Sequence, residues 1–209
     1  MDAAENDRQR RRRFSCIRVA LYVVAVTAAA ALTGLSDGID ASILAAVHAW
    51  SSPERTQFFT SVTRFGSYEA IYGMAAVVAA VLLLLGHRPV AIRLGVVMAA
   101  AFVLNNFVKF VVARPRPEPF FGEAPSSYSF ASGHALFSGC FYGFIGLLVA
   151  SSLPDAWQRA VILVPTAGLI GSIGLSRVYL GVHYPTDVIA GFALAAVVLC
   201  AMRPDAPKA

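Results

Sequence analysis

Long unbroken apolar runs decide what this chain can become. Six stretches, approximately 17–35, 68–86, 90–112, 133–152, 159–176 and 183–202, match the roughly 20 residues of helix that cross a ~30 Å hydrocarbon core. A backbone in lipid must satisfy its own N–H and C=O groups, so such runs are helices. The expected fold is therefore all-α, a polytopic membrane bundle with about six transmembrane helices. Composition agrees: 57% of residues are hydrophobic and 14% charged, which excludes an ordinary soluble domain. The first run has a basic leader and small residues near its end, as a signal peptide does, but its length favours a retained span.

Charge then orients the bundle. The cluster Arg8, Arg10, Arg11, Arg12, Arg13 and Arg18 borders the first apolar run, which reads as a cytoplasmic anchor rather than an arm for nucleic acid. With the N-terminus inside and six spans, these six fall inside together with Arg88, Arg93, Arg159, Arg203 and Lys208. The other side receives Arg55, Arg64, Lys109, Arg114, Arg116 and Arg177, an asymmetry that follows the positive-inside rule. Four of those outer cations crowd two short segments, and that crowding asks for a reason.

No linker or repeat divides the 209 residues, so the chain reads as one domain, 1–209. It comprises a cytoplasmic basic tail (1–16), an outer segment (36–67) and chemistry-bearing motifs (109–187). In the outer segment Ile43, Leu44, Val47 and Trp50 recur at helical spacing, followed by Phe58, Phe59 and Val62. One or two short amphipathic helices in the outer interface are expected there. Cys16, Cys140 and Cys200 lie at or within apolar runs without CxxC spacing, so neither a disulfide framework nor a zinc site is expected. Nothing in the residues specifies an oligomeric partner.

Three clusters fall on the outer face. Lys109 ends the third run, and Arg114 and Arg116 follow before Pro117. A lone lysine there would merely snorkel. Three cations at one helix end instead suit a multiply charged anion, and arginine's planar fork matches phosphate oxygens. The second cluster, Ser129-Phe-Ala-Ser132-Gly133-His134, precedes the fourth run. Ser132 is placed to cap that helix, and Gly133 lets a ligand approach the backbone. The helix N-terminus seats anions, and His134 in its first turn is placed to donate a proton. An N-cap beside an incidental interfacial histidine is the plainer alternative. In the third cluster, Ser176-Arg177 is followed by His183 and Asp187, which share a face if helical. A carboxylate beside an imidazole fixes its tautomer and supports its cationic form, as a nucleophilic or basic histidine requires. A structural ion pair at a helix start is the competing reading.

Taken together, these motifs resemble the type 2 phosphatidic acid phosphatase superfamily, whose signature is KxxxxxxRP, PSGH and SRxxxxxHxxxD. Here they read Lys109 to Arg116-Pro117, Ala131-Ser132-Gly133-His134, and Ser176-Arg177 with His183 and Asp187. All three spacings are met, and Ala131 replaces the usual proline. The resemblance implies a lipid phosphatase in which His183 is the nucleophile, Asp187 orients it, and His134 is the acid and then the base. Lys109, Arg116, Ser132, Gly133 and Arg177 would hold the phosphate, with Arg114 auxiliary at most. It implies no metal and no cofactor; Asp37, Asp40, Glu54, Glu69, Glu118 and Glu123 show no ligand spacing.

The implied substrate is a phosphorylated lipid, foremost a polyprenyl diphosphate such as undecaprenyl diphosphate. Phosphatidylglycerophosphate, phosphatidic acid and lipid A are alternatives. The implied setting is a bacterial cell membrane with the site on the extracytoplasmic face. Phe120 and Phe121 either dip into that interface or pack the loop, and His48 and His87 are left as surface residues. A phosphotransferase would use the same residues. Six spans argue against the superfamily's soluble vanadium haloperoxidases, and both histidines with Asp187 argue against a lipid-phosphate carrier without catalysis.

Overall fold

The apolar runs do form helices, and all regular structure among the described residues is helical. The structure is a computed structural model and describes residues 3–123 and 125–202. Arg203 and Lys208 of the charge count lie outside the described residues. Eight helices follow in order: α1 (Ala3–Thr33), α2 (Asp37–Ala49), α3 (Pro53–Arg64), α4 (Tyr68–Leu84), α5 (Arg88–Val112), α6 (Gly133–Ser151), α7 (Ala156–Tyr179) and α8 (Pro185–Ala201).

Four of these, α1, α5, α6 and α7, are long and apolar enough to cross a membrane, and α3 with α4 makes a fifth if their 45° bend lies within one span. The sequence pattern led to about six. The difference falls at α4 and α8, each of 17 residues. At 1.5 Å per residue such a helix is about 25 Å long, short of a ~30 Å core. The last apolar run loses its first residues to a turn, because Pro185 fixes the helix start after them.

α6 is the hub and packs on α4, α5, α7 and α8. Of its apolar window 56% is buried, against 11% for α1, which lies outside the bundle along α8. Leu94, Val97, Leu136, Cys140, Ala190 and Leu194 are in the core. Small residues set the helix spacing: a Cβ on Gly191 of α8 would stand 2.6 Å from the Ser132 carbonyl oxygen before α6. Large apolar side chains such as Leu84, Phe110 and Trp157 face outward, the surface expected of a bundle solvated by lipid.

Two helices occupy the 36–67 segment. α3 packs on α7, whereas α2 packs on α7 and α8. Phe59 of α3 lies against the fully buried Tyr179, with ring centroids 4.4 Å apart. At the far end of α8, Cys200 is joined to Cys16 of α1 in a disulfide. This corrects the expectation of none: the two cysteines are 184 residues apart, and only the packing of α1 on α8 brings them together.

Candidate active site

The site assembles where the chain leaves α5, enters α6, leaves α7 and enters α8. Lys109 faces inward from the last turn of α5, only 9% exposed. Its ammonium donates to the Tyr128 carbonyl and, at 3.5 Å, to that of Ser129. Ala113 then stops the helix at φ 46°, a left-handed conformation that turns the chain into the loop. Arg116 fastens that loop: Nε donates to the Ser127 carbonyl (2.7 Å), and Nη2 to Ser127 Oγ (3.0 Å) and the Tyr128 carbonyl (3.2 Å). Its Nη1 donates to the Val182 carbonyl (2.6 Å) and reaches His183 Nε2 at 3.0 Å.

His183 arrives through the turn after α7. Gly181 sits there at φ 72°, and a Cβ on it would lie 2.7 Å from the Phe120 amide nitrogen. His183 and Asp187 were expected on one helical face, but His183 precedes α8 and meets Asp187 from the turn. Nδ1 is 3.4 Å from Asp187 Oδ2 and 3.3 Å from Ser129 Oγ. The same Oδ2 accepts from the Ser129 hydroxyl (2.5 Å) and the Tyr184 amide (3.0 Å). Because Arg116 can only donate, the Nε2 it touches holds a lone pair and Nδ1 carries the ring proton toward Asp187. Burial, opposed by the Asp187 hydrogen bond, holds the imidazole down to about 3, so the ring is neutral.

Ser132 occupies the N-cap of α6, yet its hydroxyl makes no cap bond, against expectation. Its amide donates instead to the Asp187 carbonyl at 2.9 Å, tying the starts of α6 and α8. Ser132 Oγ is buried without a partner, as are Arg177 Nε and Asn105 Oδ1. Gly133 and His134 open α6, and the groups acting electrostatically on His134 are Arg177, His183, Arg116 and Lys109. Arg177, 7% exposed in the last turn of α7, donates through Nη1 to Thr63 Oγ1 of α3 at 2.8 Å. Ala131 is fully buried. Lys109, Arg116, Ser132, Gly133, His134, Arg177, His183 and Asp187 thus meet at one end of the bundle. Among the described residues no three of His, Cys, Asp and Glu cluster as metal ligands would.

The sequence reading gave Arg114 an auxiliary role at most and Asp40 none, yet both stand beside Asp187. Arg114 donates through Nη1 to Asp187 Oδ1 (3.0 Å) and Thr186 Oγ1 (2.9 Å). Its Nη2 donates to Asp40 Oδ2 (2.9 Å), Asp37 Oδ1 (3.1 Å) and Ser36 Oγ (3.3 Å). Asp40 of α2 is fully buried and accepts from the Thr186 amide (3.1 Å) and hydroxyl (2.7 Å). Asp40 and Asn105 carry no local signal, whereas Arg114 had one: a cation on the side the charge rule disfavours. Phe120 stacks on His48 at 4.1 Å and Phe121 on Tyr179 at 5.8 Å, so both pack the loop. Beside them an apolar groove of about 500 Å³ opens between Leu44, His48, Pro117, Phe120 and Tyr184.

A family model described as the PAP2 superfamily matches residues 90–209. The chain is similar to phosphatidylglycerophosphatase B of Bacillus subtilis, 29% identical over 84% of this chain and 88% of that protein. It is also similar to the undecaprenyl-diphosphatase of Sulfolobus acidocaldarius, 33% identical over 61% of this chain and 60% of that one. Among solved structures it resembles a transmembrane PAP2-type phosphatidylglycerolphosphate phosphatase from Bacillus subtilis. The TM-score is 0.81 at 25% identity, over 89% of this chain and 93% of the other.

Proposed function

The chain belongs to the PAP2 superfamily, and we propose that it is a membrane lipid phosphatase working through a phosphohistidine intermediate. One observation carries this reading: a buried imidazole backed by Asp187 at Nδ1 turns its Nε2 to the donor Arg116, in a site that also holds the buried cations Lys109 and Arg177. Phosphate oxygens are better acceptors than an imidazole, so an incoming phosphate would draw the Arg116 N–H groups and free Nε2. The bound phosphate's negative charge lets His134 take up a proton from water; Nε2 then attacks phosphorus as the ester P–O bond breaks, with the cationic His134 giving that proton to the leaving oxygen. Asp187 supports the cationic ring. Water then attacks phosphorus, His134 takes its proton, the P–N bond breaks, and His183 recovers its lone pair. The three cations, Ser132 Oγ and the Gly133 backbone serve the equatorial oxygens, where transition-state charge is spread.

In our reading six spans, α1, α4, α5, α6, α7 and α8, cross the cell membrane, with α2, α3 and the site on the extracytoplasmic side. A head group arrives laterally there while its tail stays in lipid. Likeness over nearly the whole chain favours phosphatidylglycerophosphate, the substrate in the name of the Bacillus relative. Shorter likeness at higher identity favours a polyprenyl diphosphate such as undecaprenyl diphosphate. The test is phosphate release in detergent from both lipids, phosphatidic acid and lipid A, with EDTA present and His183→Ala alongside. EDTA-resistant release that His183→Ala abolishes is expected; no release from folded protein on any lipid would sink the proposal.

A further inference from the structure

Asp187 is held by a frame that lies outside the phosphate-binding groups. We propose that Arg114 and Asp40 are positioning residues for the His183–Asp187 pair, locking the first turn of α8 against α2 so that the carboxylate stays aimed at Nδ1. This inference rests on the phosphatase reading above.

The frame is built from two oxygens with different duties. Asp187 Oδ2 faces the imidazole and is shared by Ser129, Tyr184 and His183. A carboxylate gripped at one oxygen can still pivot about that oxygen. Arg114, donating to Oδ1 at 3.0 Å, removes that freedom. The guanidinium is itself immobilised, because Asp40 and Asp37 take its other nitrogen and its carbon lies 3.9 Å from the centre of the Tyr184 ring. Asp40 has a second grip on the same turn. It accepts from the Thr186 amide, one of the donors that a helix N-terminus leaves unsatisfied, and from the Thr186 hydroxyl. A side chain from α2 thus caps the helix that carries Asp187, next door to it.

Charge gives the second half of the argument. Arg114 alone would neutralise Asp187 and weaken its support for a ring that becomes cationic on phosphorylation. The fully buried carboxylate of Asp40, 2.9 Å from Arg114, offsets that cation. Asp187 therefore keeps its negative charge for His183 while its geometry is fixed. Neither Arg114 nor Asp40 hydrogen-bonds His183, so both act through Asp187.

The experiment compares wild type, Arg114→Lys, Arg114→Gln, Asp40→Asn and His183→Ala in detergent. It reads kcat and KM per folded protein, with inhibition by orthovanadate as a probe of the phosphate seat. Misaimed catalytic groups cost up to about a hundredfold. Arg114→Gln and Asp40→Asn are expected to lose about tenfold or more in kcat. KM and vanadate affinity should stay within about threefold, since the cations that hold phosphate are untouched. Arg114→Lys should regain part of kcat. An active wild type with kcat unchanged in both variants overturns the proposal. So does kcat falling together with vanadate affinity, or failure of every variant to yield folded protein, either of which would assign these residues to the fold alone. A silent wild type would defeat the phosphatase reading itself, which a separate loss in the variants would not.

Discussion

Two arginine–aspartate pairs of nearly equal length sit at opposite ends of the bundle. Arg11 meets Asp7 at 2.8 Å on the first turns of α1, with side chains 80% and 58% exposed. Arg114 meets Asp40 at 2.9 Å beside the start of α8, with side chains 5% and 0% exposed. The first is an i,i+4 pair on a solvated helix, and water and salt screen most of its attraction. The second joins residues 74 apart, and both oxygens of Asp40 and both Nη atoms of Arg114 have partners nearby. Bond length says little about what a charge does here. Burial separates a solvated cation at the start of α1 from one enclosed beside the candidate site.

The comparison is sharpest in stability. Arg114→Ala leaves two buried carboxylates without their cation and is expected to cost about 3–5 kcal/mol, read as a large fall in the thermal midpoint in detergent. An unchanged midpoint would show that solvent already reaches the cluster. Arg177→Ala, which deletes a buried cation with an unpaired nitrogen, should lower kcat by about 10²–10³. A loss confined to KM would move Arg177 from the transition state to ground-state binding.

His183 offers a test in pH. Its value is lowered by burial to about 3, so the neutral, nucleophilic ring should persist as the pH falls through the usual histidine range near 6.5. Nitrogen NMR of histidine-labelled protein between about pH 8 and about pH 5 should keep the Nδ1–H tautomer. An imidazolium signal in that window assigned to His183, by its loss in His183→Ala, would remove the burial argument. Gly181→Ala, at φ 72° and against the Phe120 backbone, should cost about 1–2 kcal/mol and disturb the loop that carries Arg116. The smallest effect is Arg11→Ala, within about 0.5 kcal/mol and with kcat intact. A larger change there would mean that the basic end of α1 is more than a solvated anchor.

Much of this could be read along the chain, because it depends on local properties. Apolar runs imply helices in lipid whatever their neighbours, and the spacing of Lys109, Arg116, Ser132, His134, Arg177, His183 and Asp187 marks the motifs. Pro185 and the Gly181 turn are local too, yet their effect on the length of α8 emerges only with the fold. What stayed hidden depends on packing between distant segments. Asp40 is one acid among several in an outer segment until α2 lies beside α8, and Arg114 falls in a variable stretch until it stands between two carboxylates. The Cys16–Cys200 bond likewise requires α1 to run along α8. Sequence alone determined the helical class, the membrane setting and where the three motifs lie, since hydropathy and residue type are written position by position. Tertiary structure alone decided which charges are buried together and how Asp187 is held, since burial and pairing belong to neighbours in space.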